Sequence, residues 1–222
     1  MVKNVDVDVW VYSSNVPNAR IWDTFGSRRV NDKVAPVVDL CKMTQRHHLG
    51  NKIKTVTAKD LVGLMNADEM KRSGIERGDE WGIEFNTMLR DGLLLRFLSE
   101  KGGIVIPDHS LVLDDFRHYY WSTTSNADLV MAGCPAGSRQ CVDGGDFGDT
   151  TGSRSFVLLA AKPSKKLRNQ ADELVNKACM REFLGGSVFW GGLRSWFANV
   201  SPSNFNINIL PGTKTGERDT MG

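Results

Sequence analysis

The sequence predicts an α+β domain: a sheet of short, mostly antiparallel or mixed strands with several helices packed on it. Three stretches carry that expectation. Residues 5–12 put Val5, Val7, Val9 and Val11 at every second position, opposite Asp6, Asp8, Trp10 and Tyr12, the period of a strand with one aliphatic face. Residues 79–107 read as one long helix, a double-glycine stop and a short strand turning at Pro107. Residues 155–161, SFVLLAA, are a continuous apolar run, the signature of a strand inside a sheet.

Composition bounds the alternatives. A chain of 222 residues suits one globular domain, here 1–222 with a polar extended tail at about 211–222. Hydrophobic residues at 41% and charged residues at 24% exclude global disorder. A formal net charge of only +2 provides no broad field for nucleic acid or membrane and leaves local patches to be searched. The apolar runs at 93–95 and 156–161 fall far short of the roughly 20 residues that span a bilayer. The N-terminus, MVKNVDVDVW, has no continuous apolar core of the secretory type. The expected location is therefore the cytoplasm, or an assembled particle, with Cys41, Cys134, Cys141 and Cys179 reduced.

Each element has a local reason. Asn18 would cap a short helix ended by Gly26, and Gly26-Ser27-Arg28-Arg29 lacks the spacing of a phosphate loop. Residues 34–43, with Pro36 inside them, read as an edge strand or extended segment. The segment TQRHHLGNKIK that follows reads as a basic loop. A helix is expected over 57–71: Thr57 is the N-cap, Asp60 stands at the capping-box distance, and Gly74 ends it. The central helix, 79–101, opens with Asp79, Glu80 and Glu84, which suit the positive end of a helix dipole. Its residues Leu93, Leu94, Leu95, Phe97 and Leu98 point in nearly every direction, so it is buried. Gly102 and Gly103 stop it, and Ile104-Val105-Ile106 forms a buried strand. Residues 123–154 are loop-rich, 163–184 form a helix started by Pro163 and Ser164, and 205–210 alternate as a last strand.

Four groups of residues carry candidate chemistry. If 114–121 were helical, Asp114 and His118 would lie one turn apart, an acid–base pair with Asp114 orienting His118; the plainer reading is a structural pair beside packed aromatics. Asp143, Asp146 and Asp149 recur among glycines and offer the oxygen ligands a divalent cation takes, against a simple acidic hairpin tip; no other cofactor is indicated. Arg46, Lys52, Lys165, Lys166 and Arg168 are the anion or nucleic-acid candidates, against solvated cations. Phe189, Trp190, Trp196 and Phe197 alternate with glycine pairs and read as an interface, against burial in the subunit's own core.

No family resemblance is evident, and no catalytic constellation is complete. The leading expectation is a structural subunit forming a homo-oligomer of the shell, tube or coat type, with nucleic acid as a candidate contact. The alternative is a metal-assisted or acid–base hydrolase using Asp114, His118 and the 143–149 loop.

Overall fold

A computed structural model describes residues 7–13, 30–50, 53–76, 82–83, 86–108, 110–132, 158–180 and 205–210. Its six strands are β1 (Val9–Ser13), β2 (Ile53–Thr57), β3 (Gly103–Pro107), β4 (Leu129–Ala132), β5 (Leu158–Ala161) and β6 (Ile207–Leu210). Six helices are described among them: α1 (Val30–Leu49), α2 (Ala58–Val62), α3 (Ala67–Ser73), α4 (Thr87–Lys101), α5 (Arg117–Thr124) and α6 (Lys165–Cys179). The strands form one mixed sheet in the order β2-β1-β3-β5-β4-β6, and the architecture is α+β. β1 is parallel to both β2 and β3, β5 runs antiparallel to β3 and β4, and β6 is parallel to β4.

Helices cover both faces. Along β3 the side chains alternate between two apolar clusters: Val105 points to α2, α4 and α6, while Ile104 and Ile106 point to α1 and α5. β1 does the same, with Val9 and Val11 on the second face and Tyr12 on the first. A strand buried on both faces loses the polar side that alternation predicts, and β1 is central rather than an edge. Its acidic start is answered by Lys54 of β2, whose ammonium lies 2.8 Å from Asp8 and 4.9 Å from the Trp10 ring centroid. Residues 1–6 lie outside the described residues.

The central helix is as buried as its sequence implies, with Leu89, Leu93, Leu94, Leu95 and Leu98 fully enclosed. It begins later than expected, at Thr87, with Asn86 as N-cap accepting from the Leu89 amide. Gly102 caps it, and Gly103 enters β3 at φ +100°. The helix after Pro163 is also present: the Ser164 hydroxyl accepts from the amides of Lys166 and Leu167, and Leu167, Ala171, Leu174, Val175 and Ala178 form its buried stripe.

Four expectations need correction. Residues 34–43 are not an edge strand; they belong to the 20-residue helix α1. Pro36 suggested a strand, but Cys41, Gln45 and Leu49 are buried at every fourth position, a helical period. The segment after them is not a loop either, because Arg46–Leu49 is the last turn of α1 and β2 starts at Ile53. The helix expected over 57–71 is two helices. Thr57 and Asp60 form the anticipated capping box, but a second box, Asn66 with Glu69, restarts the chain as α3. Finally, the stretch expected to be loop-rich contains the strand β4.

Candidate ligand-binding cleft

β1 and β3 lie side by side and parallel, and the chain leaves them in opposite directions. From β1 it runs through α1 to β2 on one flank; from β3 it runs through α5 to β4 on the other. Ligands in open sheets with parallel strands bind at the carboxyl ends of such strands. A cleft of about 420 Å³ lies at that point, between α1 and the sheet.

Each wall has a local cause. Val11 of β1 and Ile53 and Thr55 of β2 form the floor, being on the strand faces that look toward α1. Ser13 ends β1, and its hydroxyl donates to Asp108 Oδ2 at 3.0 Å. Asp108 follows β3 directly, and its amide donates to the Tyr12 carbonyl at 2.9 Å, so the β1–β3 ladder itself places the pair. Gln45, 2% exposed, clamps the turn: its Nε2 donates to the carbonyls of Ser110 at 2.9 Å and Asp108 at 3.1 Å. Thr44 adds a second tie, its hydroxyl accepting from the Val112 amide at 3.2 Å.

Lys42 and Arg46 complete the cleft, one turn apart on the face of α1 that also carries Gln45. Neither is ion-paired with a described residue. Cys41 stands behind them, 3% exposed. Burial, reinforced by the charge of Asp108, pushes its thiol above the ordinary cysteine value. A raised value disfavours the thiolate, the nucleophilic form of cysteine. On the opposite face of β1, the Arg90 guanidinium sits 5.8 Å from the Tyr12 ring centroid and bonds Asp91 at 3.0 Å.

Of the anion-binding candidates, Arg46 lies in this cleft, whereas Lys52 is outside the described residues. Lys165, Lys166 and Arg168 sit at the start of α6, on the other face of the sheet. There Arg168 bonds Glu100 and Asp172, and Lys166 lies 3.7 Å from Asp128. Lys166 and Arg168 thus have acidic neighbours within the fold, and Arg46 lies on the other face of the sheet from them.

α5 begins at Arg117, so Asp114 is not on a helix with His118. The Asp114 carboxylate accepts from the Asp115 amide at 2.7 Å, and His118 is exposed. Asp115 is the engaged carboxylate: its hydrogen bonds from Arg117, more than the opposing effect of burial, hold it below the usual range, and His118 adds to that. Asp143, Asp146, Asp149, Phe189, Trp190, Trp196 and Phe197 lie outside the described residues. Among the described residues no three His, Cys, Asp or Glu side chains are grouped to hold a metal. Nor is any described helix long and apolar enough to cross a membrane.

Comparison with protein-family models, curated proteins and solved structures finds no match. The geometry alone supplies Ser13, Lys42, Gln45 and Asp108, which the sequence reading did not single out. The spacing of Lys42, Gln45 and Arg46 would have shown one helical face had 34–49 been read as helix.

Proposed function

We propose that the protein binds a small anionic ligand in the cleft at the carboxyl ends of β1 and β3. One observation carries this reading: Lys42 and Arg46, one helical turn apart, line a cavity at the divergence point and have no acidic partner among the described residues. Lys42 is half-buried and Arg46 exposed at this cleft, so their attraction for an anion is electrostatic and open to screening by salt. Calorimetric titration with inorganic phosphate, at low ionic strength, should give binding that weakens as salt is added. The double substitution Lys42→Ala, Arg46→Ala should weaken it about tenfold or more, since charge-assisted hydrogen bonds contribute about 1.5–3 kcal/mol each. Equal affinity in the two proteins would end this assignment.

A second reading, a homo-oligomeric assembly subunit, is favoured by a separate observation. Leu40 and Met43 of α1 and Leu111 and Leu113 of the loop after β3 are 51%, 67%, 52% and 75% exposed. The Thr44–Val112 hydrogen bond brings these two segments together. Large apolar side chains exposed on neighbouring segments are a feature of association sites, and a second copy can meet them about a two-fold axis. Light scattering at micromolar concentration should then give a mass above the 24.6 kDa of one chain. Met43→Glu with Leu113→Glu should return it to that mass, and a strict monomer before substitution would sink the reading. Excess absorbance at 260 nm on the same column would reveal bound nucleic acid.

A further inference from the structure

We infer that Gln45 makes the cleft selective for an anion that still carries a proton, hydrogenphosphate in preference to sulfate. The inference rests on the anion-binding reading above and adds the chemistry by which the anion is chosen. It follows from which hydrogen-bonding groups of the wall are already committed.

Gln45 stands on α1 between Lys42 and Arg46. It is almost fully buried, yet it lines the cleft. Its side-chain amide has a donor end, Nε2, and an acceptor end, Oε1. Nε2 faces the carbonyl oxygens of Ser110 at 2.9 Å, Asp108 at 3.1 Å and Pro107 at 3.4 Å. Turning the amide over would set Oε1 against those three oxygens, so its orientation is fixed. No described residue donates to Oε1. Among the described residues the sealed side-chain oxygen without a partner is Gln170 Oε1, so Gln45 Oε1 is reached by solvent, and the cleft is the space that Gln45 lines. Ser13, on the same wall, behaves alike. Its hydroxyl donates its one proton to Asp108 Oδ2, and an ionised carboxylate has no proton to return, so the Ser13 oxygen has only lone pairs for a further partner.

The cleft therefore combines two cations, Lys42 and Arg46, with two groups that accept only, Gln45 and Ser13. An anion that satisfies both must itself donate a hydrogen bond. Hydrogenphosphate and sulfate have the same charge and the same tetrahedral shape. The first keeps one hydroxyl, and the second has none. Salt screens the attraction of Lys42 and Arg46 for either dianion alike, so the difference between the two isolates the hydrogen bond. Sulfate would set a lone pair against Gln45 Oε1 and leave a buried acceptor unpaired. A site built around a hydrogen bond rejects the analogue that lacks it for this reason.

The test is calorimetric titration of the intact chain with sodium phosphate and with sodium sulfate, at about pH 8, where phosphate is chiefly the dianion, and at matched ionic strength. Phosphate should bind about tenfold or more tightly than sulfate, the effect of one buried acceptor satisfied in one complex and not in the other. Gln45→Met keeps the length of the side chain and removes the acceptor, and it should lower the phosphate-to-sulfate ratio severalfold. A merely structural Gln45 would weaken both anions together, so a ratio unchanged in Gln45→Met would overturn the inference. Sulfate binding as tightly as phosphate to the unsubstituted protein would also overturn it and leave anion binding standing. That comparison needs no variant to fold. Absence of binding by both anions would overturn the inference and the anion-binding reading together.

Discussion

Replacing Arg96 with alanine should remove about 3–5 kcal/mol of stability, the range for breaking one side of a buried ion pair. Arg96 is 3% exposed and Glu69 5%. The guanidinium donates to both carboxylate oxygens of Glu69, at 2.8 and 3.0 Å, to Asp172 at 2.7 Å and to the Leu64 carbonyl at 3.0 Å. One side chain thus ties α4 to α3, to α6 and to the break between α2 and α3. Without it, Glu69 is left as a buried charge held mainly by the Asn66 amide at 2.9 Å. Urea unfolding, read as a shift of the midpoint at constant slope, measures the loss.

The same pair sets a pH signature. Burial alone would raise the Glu69 pKa, but the hydrogen bond from Arg96, the Asn66 amide and the nearby positive charges outweigh it and hold the folded-state value below the ordinary one of 4.5. The carboxylate therefore contributes stability above its unfolded-state pKa, and that contribution disappears as pH falls through the folded-state value. In Arg96→Ala, burial acts unopposed by the guanidinium, and the Glu69 pKa should rise. The deficit of the variant should then shrink on acidification. A deficit independent of pH between 7 and 4 would show that Glu69 is not the group left stranded.

Gly103→Ala should cost about 2–5 kcal/mol, from two sources. At φ +100° an L side chain meets its own carbonyl, a strain of about 1–2 kcal/mol. A Cβ would also sit 2.5 Å from the Asp8 carbonyl oxygen and 3.0 Å from Trp10 Nε1, and overpacking of this kind costs about 1–3 kcal/mol. Neither neighbour yields easily. The Asp8 carbonyl accepts from Ile104 at 3.0 Å, and Trp10 Nε1 donates to Gly102 at 3.0 Å. Gly50→Ala is the control: its φ is +68° with nothing within 4 Å of the new atom, so only the backbone strain applies. Midpoints of thermal unfolding should place Gly103→Ala well below Gly50→Ala. Equal losses would mean that the sheet shifts to accept the methyl group.

These positions show which parts of the molecule could be read without a structure. Where the cause lies within a turn of helix, reading succeeded. Thr57 with Asp60, Ser164 with the following amides, and the Gly102–Gly103 stop are each determined by neighbours a few residues away. The buried strands at 103–107 and 158–161 were legible because β-branched or continuous apolar runs have few other ways to be hidden. The misreadings share a cause as well. Pro36 signals an extended segment while Cys41, Gln45 and Leu49 keep a helical period, and the apolar rhythm across 57–71 overlies the second capping box at Asn66. In each case two local signals competed, and tertiary packing chose between them.

The sequence by itself determined the α+β class, the burial of the central helix, its glycine exit into β3 and the capped start of α6. All are short-range consequences of periodicity, capping and backbone freedom. Tertiary structure alone decided the strand order, the two-sided burial of β1 and the cleft. Ser13 and Asp108 are 95 residues apart and meet because β1 and β3 pair in parallel. Arg96 and Asp172 are 76 apart and meet because α4 packs on α6. Such contacts depend on which strands become neighbours, and in this chain the hydrophobic pattern marks strands as buried without specifying beside which partner.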